Sequence, residues 1–143
     1  MKPLVTFTVP GKAVSKKRHR MTLRGHTYTP ADTVSYEGMV KVLAYNAMER
    51  REVLTGPIDM RVTVYIAPPK SWSKRRHNLA LDDCILPTKK PDLSNVAKSI
   101  EDAMNGVVYR DDSQITQLIV TKRYSDEERV EVWVQEVDRM SAP

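Results

Sequence analysis

Residues 58–67 read IDMRVTVYIA. Successive side chains of an extended chain point to opposite faces, so Met60, Val62, Val64 and Ile66 share one side and Arg61, Thr63 and Tyr65 the other. A strand of this kind needs cover on its apolar side only, which predicts a sheet carrying its helices on one face. Two segments supply those helices. After TPADT, Tyr36, Met39, Val40, Leu43, Ala44 and Ala47 recur at spacings of three and four, an amphipathic helix that fades at ERREV and is broken by TGP. After ILPTKK, Leu93, Val96, Ala97, Ile100, Ala103 and Met104 form a second stripe. Asn105-Gly106 ends it, because glycine tolerates the left-handed conformation in which helices stop.

The remaining segments complete an α+β chain. LVTFTV at 4–9 alternates like a strand, RMTLRGHTYT at 20–29 is expected as its hairpin partner, and PGKAVSKKRH lies between them as a basic loop. PPKSWSKRRHNLALDDC is a long basic excursion expected to hold a short helix over 73–82, and QITQLIVTKRY and RVEVWVQEV are strands joined through the acidic turn SDEE. The expected architecture is a mixed, mostly antiparallel sheet of about four or five strands with two main helices packed on one face. At 143 residues the chain is read as one domain spanning 1–143.

The net charge of +5 matters less than its distribution. Residues 1–31 carry Lys2, Lys12, Lys16, Lys17, Arg18, Arg20 and Arg24 and no acid, and a second basic cluster runs from Lys70 through Lys74, Arg75 and Arg76 to Lys89 and Lys90. The acids gather at Asp92, Glu101, Asp102, Asp111 and Asp112, and again over 126–138. A basic frame around a small acidic island suits a protein that holds phosphates and a divalent cation beside them. No apolar run has the length to span a bilayer, no signal-peptide pattern opens the chain, and the lone Cys84 cannot form an internal disulfide, so a reducing cytoplasmic location is expected. No glycine-rich phosphate loop of the Walker type is present.

The acidic island lies within KKPDLSNVAKSIEDAMNGVVYRDDSQ. A helix from about residue 94 to 104 is roughly 16 Å long, and six extended residues from Val107 to Asp112 return roughly 20 Å. If the return is antiparallel, Asp111 and Asp112 come level with the helix start beside Asp92. Hard divalent cations such as Mg²⁺ take one or two carboxylates together with waters and substrate phosphate. Asn95, Lys98 and Asp102 line up on the polar face at spacings of three and four, and Lys98 is placed to pair with a phosphate oxygen as its charge builds. Each feature also has a plainer reading. Asp92 or Ser94 caps the helix, RDDS is a turn, and Lys98 with Asp102 is an exposed pair worth roughly 0.3–0.5 kcal/mol. Trp72 either stacks on a base or packs against its own loop. His19, His26 and His77 lack ligand spacing and are assigned no metal.

FTVPGKAVSKKRHR…YTPADTVSYEGMV and KKPDLSNVAKSIEDAMNGVVYRDDSQI resemble the N-terminal segment and core motif of the RusA-like endodeoxyribonucleases, many of them phage or prophage encoded. The family motif has a Pro-Asp-x-Asp-Asn start, a following Lys, an Asp-Ala-Leu-Asn-Gly helix end and an Asp-Asp-Ser-Gln-Ile strand entry. The resemblance implies a Mg²⁺-dependent homodimer, with Mn²⁺ able to substitute, that resolves Holliday junctions by paired nicks in the bacterial cell or phage-infected host. By position, Asp92 and Asp112 match the metal-binding carboxylates and Lys98 the catalytic lysine, and Asn95 and Asp102 also match the motif. Lys16, Lys17, Arg18, Arg20, Lys89, Lys90 and Asn95 are the candidate DNA contacts.

Ser94 departs from the pattern, which has a metal-binding Asp there. A neutral hydroxyl is a poorer ligand for a hard cation than a carboxylate, so cleavage is expected to be weakened but detectable. Asp102 or Asp111 supplying the missing acid, a water bridging from Ser94, and a chain that binds junctions without cutting them are the competing explanations. The alternative function is therefore a non-catalytic four-way-junction DNA-binding protein on the same scaffold. A more distant one is a small RNA-binding domain whose acids serve only as caps.

Overall fold

The computed structural model describes residues 4–16, 20–21, 27–28 and 31–139. A mixed sheet in the order β1 (Leu4–Pro10), β6 (Arg129–Glu136), β4 (Ile58–Ile66), β5 (Ile115–Tyr124) forms one layer. β6 pairs antiparallel with both β1 and β4, whereas β4 and β5 run parallel. A parallel pair cannot be joined by a tight turn, so the chain between β4 and β5 has to cross the sheet. That crossover contains α2 (Lys74–Leu81) and α3 (Leu93–Met104). A third helix, α1 (Ala31–Met48), lies against α3 and β1.

The alternation of β4 decides the core. Ile58, Met60, Val62 and Val64 are buried, and the last three stand opposite Val134, Val132 and Val130 of β6. With Val5 and Val9 of β1 they meet Val96, Ile100, Ala103 and Met104 of α3 and Tyr36, Val40, Ala44 and Met48 of α1. The expected α+β architecture, four strands with two main helices on one face, is what forms. Burying a side chain of this size contributes about 1.5–3 kcal/mol.

Two details differ from the sequence reading, and a third was left open by it. The described residues of the 20–29 segment do not pair with β1: β2 (Arg20–Met21) and β3 (Thr27–Tyr28) pair with each other, and β1 takes β6 as its neighbour. The chain leaving β1 is drawn onto α3 instead, where Val14 O and the Lys16 N–H find partners. β5 and β6, though joined by a short acidic turn, are separated by β4. In α1 the buried line runs 36, 40, 44, 48, which leaves Met39 exposed together with Val42 and Tyr45. The helical period cannot put 39 on the same face as 36, 40 and 44 without widening that face.

Candidate active site

α3 is built to hold a charged face over a dry one. Val96, Ala97, Ile100, Ala103 and Met104 point into the core, while Ser94, Asn95 and Lys98 are exposed. Asp92 is the N-cap. Its Oδ1 accepts the Ser94 N–H at 3.0 Å, the Ser94 hydroxyl at 2.7 Å and the Asn95 N–H at 3.4 Å. The Ser94 hydroxyl, followed by the Asn95 amide, holds the Asp92 carboxyl below the usual carboxylate range, and Lys122 adds to the effect. The three donors converge on one oxygen, so a cation would approach the other. The helix stops at Asn105, and Gly106 takes φ +76°, which a residue with a Cβ rarely adopts.

The return from α3 is tighter than six extended residues. Val108 and Tyr109 are fully buried, Tyr109 forms an isolated bridge with Asn105, and its hydroxyl donates to Glu101 O at 2.9 Å. Two apolar residues in this stretch pull the chain into the core, so it folds under the C-terminal half of α3. A 3-10 turn, Asp112–Gln114, then leads into β5. Asp111 caps it: its Oδ2 accepts the Ser113 N–H at 3.0 Å, and the Gln114 side chain accepts the Asp111 N–H at 3.0 Å. The Ser113 bonds hold the Asp111 carboxyl below its usual value.

Asp112 meets α3 through the Lys98 side chain, whose backbone lies six residues, about 9 Å of axial rise at ~1.5 Å per residue, beyond the Asp92 cap. The Lys98 ammonium stands 3.3 Å from Asp112 Oδ2 and 3.1 Å from Asp102 Oδ1. Asp102 Oδ2 faces a second ammonium, Lys16, at 3.2 Å, and Lys16 lies 2.6 Å from Glu37 Oε1 on α1. The result is a chain of alternating charge, Glu37–Lys16–Asp102–Lys98–Asp112. The Asp102 hydrogen bond is the main influence on Lys98 and raises its pKa, more than offsetting desolvation, with Asp112 adding to the rise. Glu101, partly buried one position before Asp102, is pushed up by desolvation despite the opposing pull of Lys98.

The structure thus brings Lys98 and Asp112 together and adds Asp102, with Asp92 at the start of the same helix. Lys89 and Lys90 are exposed on the segment leading into α3, and Lys122 of β5 pins that segment by donating to Lys89 O at 2.6 Å and Pro91 O at 3.0 Å. Asn95 is exposed; its N–H belongs to the cap and its carbonyl accepts the Lys16 N–H at 2.9 Å. Lys17 and Arg18 lie outside the described residues, and Arg20 is described only as the first residue of β2. Trp72 packs against its surroundings, edge-on to Tyr124 with centroids 5.4 Å apart and under Arg76 at 4.2 Å. Sequence reading missed Glu37, Lys122 and the tie of Lys16 to Asp102; Glu37 and Lys122 sit in segments where nothing local marks them.

The matches to known proteins cover most of the chain, this site included. The family model "Endodeoxyribonuclease RusA" matches residues 10–135, from the end of β1 to the end of β6. The chain belongs to the RusA endodeoxyribonuclease family. It is also 40% identical over 139 residues, 93% of this chain and 96% of the relative, to the uncharacterized protein YqaN of Bacillus subtilis (strain 168). The RusA family consists of DNA-binding endodeoxyribonucleases of the Holliday junction resolvase class that act on branched DNA, and membership implies that class of function. Endodeoxyribonucleases generally use a divalent metal. Among the described residues no group of three or more His, Cys, Asp or Glu side chains stands ready to hold one. The donor chemistry nevertheless fits a hard cation that takes one or two carboxylates and completes its shell with water and substrate phosphate. Asp92 offers an oxygen outside its cap bonds, and Asp112 offers a partly exposed carboxylate. No helix among the described residues is long and apolar enough to cross a membrane.

Proposed function

We propose that this chain is a Mg²⁺-dependent, structure-specific endonuclease that resolves four-way DNA junctions by paired nicks, with cleavage weakened by Ser94. The observation that supports it best is the Lys98 ammonium lodged between Asp102 and Asp112 on the helix that Asp92 caps, in a chain of this family. Asp92 and Asp112 would hold the cation, which when bound supplies charge stabilisation and ionises an attacking water. Lys98 is oriented by its two carboxylates so that its charge meets a phosphate oxygen where negative charge grows. The α3 N-terminus adds its partial positive charge in the same region. Lys89 and Lys90, with the basic 17–20 segment, would grip backbone phosphates. A junction has approximate two-fold symmetry and needs two cuts, and one chain carries one such site, so the working form is an isologous homodimer. The cytoplasm of a bacterium or phage-infected host is the compartment this substrate implies.

Ser94 directs its hydroxyl into Asp92 Oδ1, and both oxygens of Asp102 already face lysines. Neither therefore replaces the missing acid without breaking a bond it now makes. This supports a cation held more weakly than by the full motif. It also favours, as a second reading, a junction-binding protein that does not cut. The deciding experiment is cleavage of a four-way junction across a Mg²⁺ and Mn²⁺ titration for the natural chain and for Ser94→Asp. The proposal expects slow paired nicking by the natural chain and a shift of the metal midpoint to lower concentration, on the order of tenfold, with the added carboxylate. Tight binding with no nicking by the natural chain at high Mn²⁺ supports the second reading.

A further inference from the structure

Lys16 sits in the basic N-terminal run whose charge suggests phosphate contact, yet its surroundings point elsewhere. Its backbone N–H is bonded to Asn95 O on the first turns of α3 at 2.9 Å. One residue pair earlier, the chain is tied to the same helix by Ser99, a fully buried side chain whose hydroxyl lies 3.0 Å from Val14 O. The Lys16 ammonium, half-buried, is shared by Glu37 at 2.6 Å and Asp102 at 3.2 Å. Burial pulls its pKa down, but the two carboxylates outweigh burial and the net shift is upward. An ammonium fixed at backbone and side chain between two acids has little left to offer a phosphate.

We infer that Lys16 and Glu37 are positioning residues for Lys98, fixing through Asp102 the carboxylate that holds the Lys98 ammonium in front of Asp112. Asp102 has one oxygen on each lysine. Without Lys16 it is anchored on the Lys98 side alone, and the two side chains can swing together. Glu37 acts one step earlier by keeping Lys16 turned toward Asp102. The inference rests on the reading of Lys98 as the catalytic lysine.

The test compares Lys16→Met, Lys16→Arg and Lys98→Ala. Lys16→Met keeps the apolar stem and removes the charge. It is expected to leave metal-free affinity for a four-way junction within about twofold and its salt slope unchanged, while nicking falls about 10- to 100-fold. Lys16→Arg, which can still bridge two carboxylates, restores most of the rate. A readout without DNA or metal accompanies these: with ¹³C-labelled lysine, the two ε-methylene protons of Lys98 are distinct while its ammonium is fixed, and merge in Lys16→Met. Loss of affinity with a salt slope shallower by about one ion makes Lys16 a phosphate contact and overturns the inference. So does an unchanged Lys98 methylene pair. If Lys98→Ala nicks as fast as the natural chain, the catalytic reading of Lys98 fails. If Lys98→Ala is inactive and Lys16→Met is not slowed, only the positioning role fails.

Discussion

Two parts of the molecule carry polar side-chain pairs of similar length, 2.6–3.3 Å, and very different setting. Around α3, five charged side chains from α1, the 11–16 segment, α3 and the 3-10 turn alternate in sign, and Glu37, Lys16 and Asp102 are only 22% exposed. Around α2, two separate pairs stand at the surface: His77 with Asp126 at 2.8 Å, 33% and 67% exposed, and Arg123 with Asp83 at 2.8 Å, each 43% exposed. The α2 pairs are shorter than every α3 contact except Lys16–Glu37, yet each stands alone in water, where Coulomb attraction is screened and ordering two side chains costs entropy. In the α3 chain each carboxylate or ammonium orders the next, and burial weakens the screening. Distance alone does not rank these contacts.

The largest expected effect tests whether the α3 chain is chemistry rather than scaffolding. Lys98 is half exposed, so Lys98→Ala creates no cavity and the fold should survive. Nicking of a junction is expected to fall by about 10³-fold, with metal-free binding kept within a few-fold. An unfolded protein would lose both. Cleavage at the natural rate would reduce the α3 chain to a more ordered version of the α2 pairs.

Next in size is Asp102→Asn. Its amide places a nitrogen where one of the two lysines now finds an oxygen, leaving a half-buried ammonium without its partner. The expected loss of stability is about 1–2 kcal/mol, read as a lower urea midpoint at unchanged slope. A loss below about 0.5 kcal/mol would show that water replaces Asp102 without difficulty and that the two regions are energetically alike.

These contrasts mark what the sequence could and could not convey. The α3 stripe was legible because its period is local: Val96, Ile100 and Met104 need only each other to announce a face. The cap at Asp92 and the stop at Gly106 were legible for the same reason. The pairing of β1 was not, because RMTLRGHTYT looks like a strand from inside while β1 takes β6 as its neighbour and the chain leaving β1 docks on α3 at Val14 and Lys16. The six-residue return was misread because Val108 and Tyr109 are as compatible with a strand as with a buried turn. Chain reversal placed Asp112 beside Asp92, and the motif named Lys98 as well, but the direct contact of Lys98 with Asp112, fourteen positions apart, was not read. Lys16 to Glu37 spans 21 positions, and no periodicity links them. A run of lysines read as a footprint therefore hid one member already bound to acids.

The smallest effect is predicted at α2, where Asp126→Asn and Asp83→Asn each remove one surface pair. His77 and Arg123, 33% and 43% exposed, remain able to turn to water. Each substitution should change stability by no more than about 0–1 kcal/mol, and the two together should add, since the pairs share no residue. Raising salt should shrink even this difference, whereas the Asp102→Asn loss should persist because its partners are less open to counterions. If the α2 substitutions instead cost as much as Asp102→Asn, α2 would be held to β5 mainly by these charges. Trp72, wedged between Arg76 and Tyr124, would then be too weak a packing anchor for it.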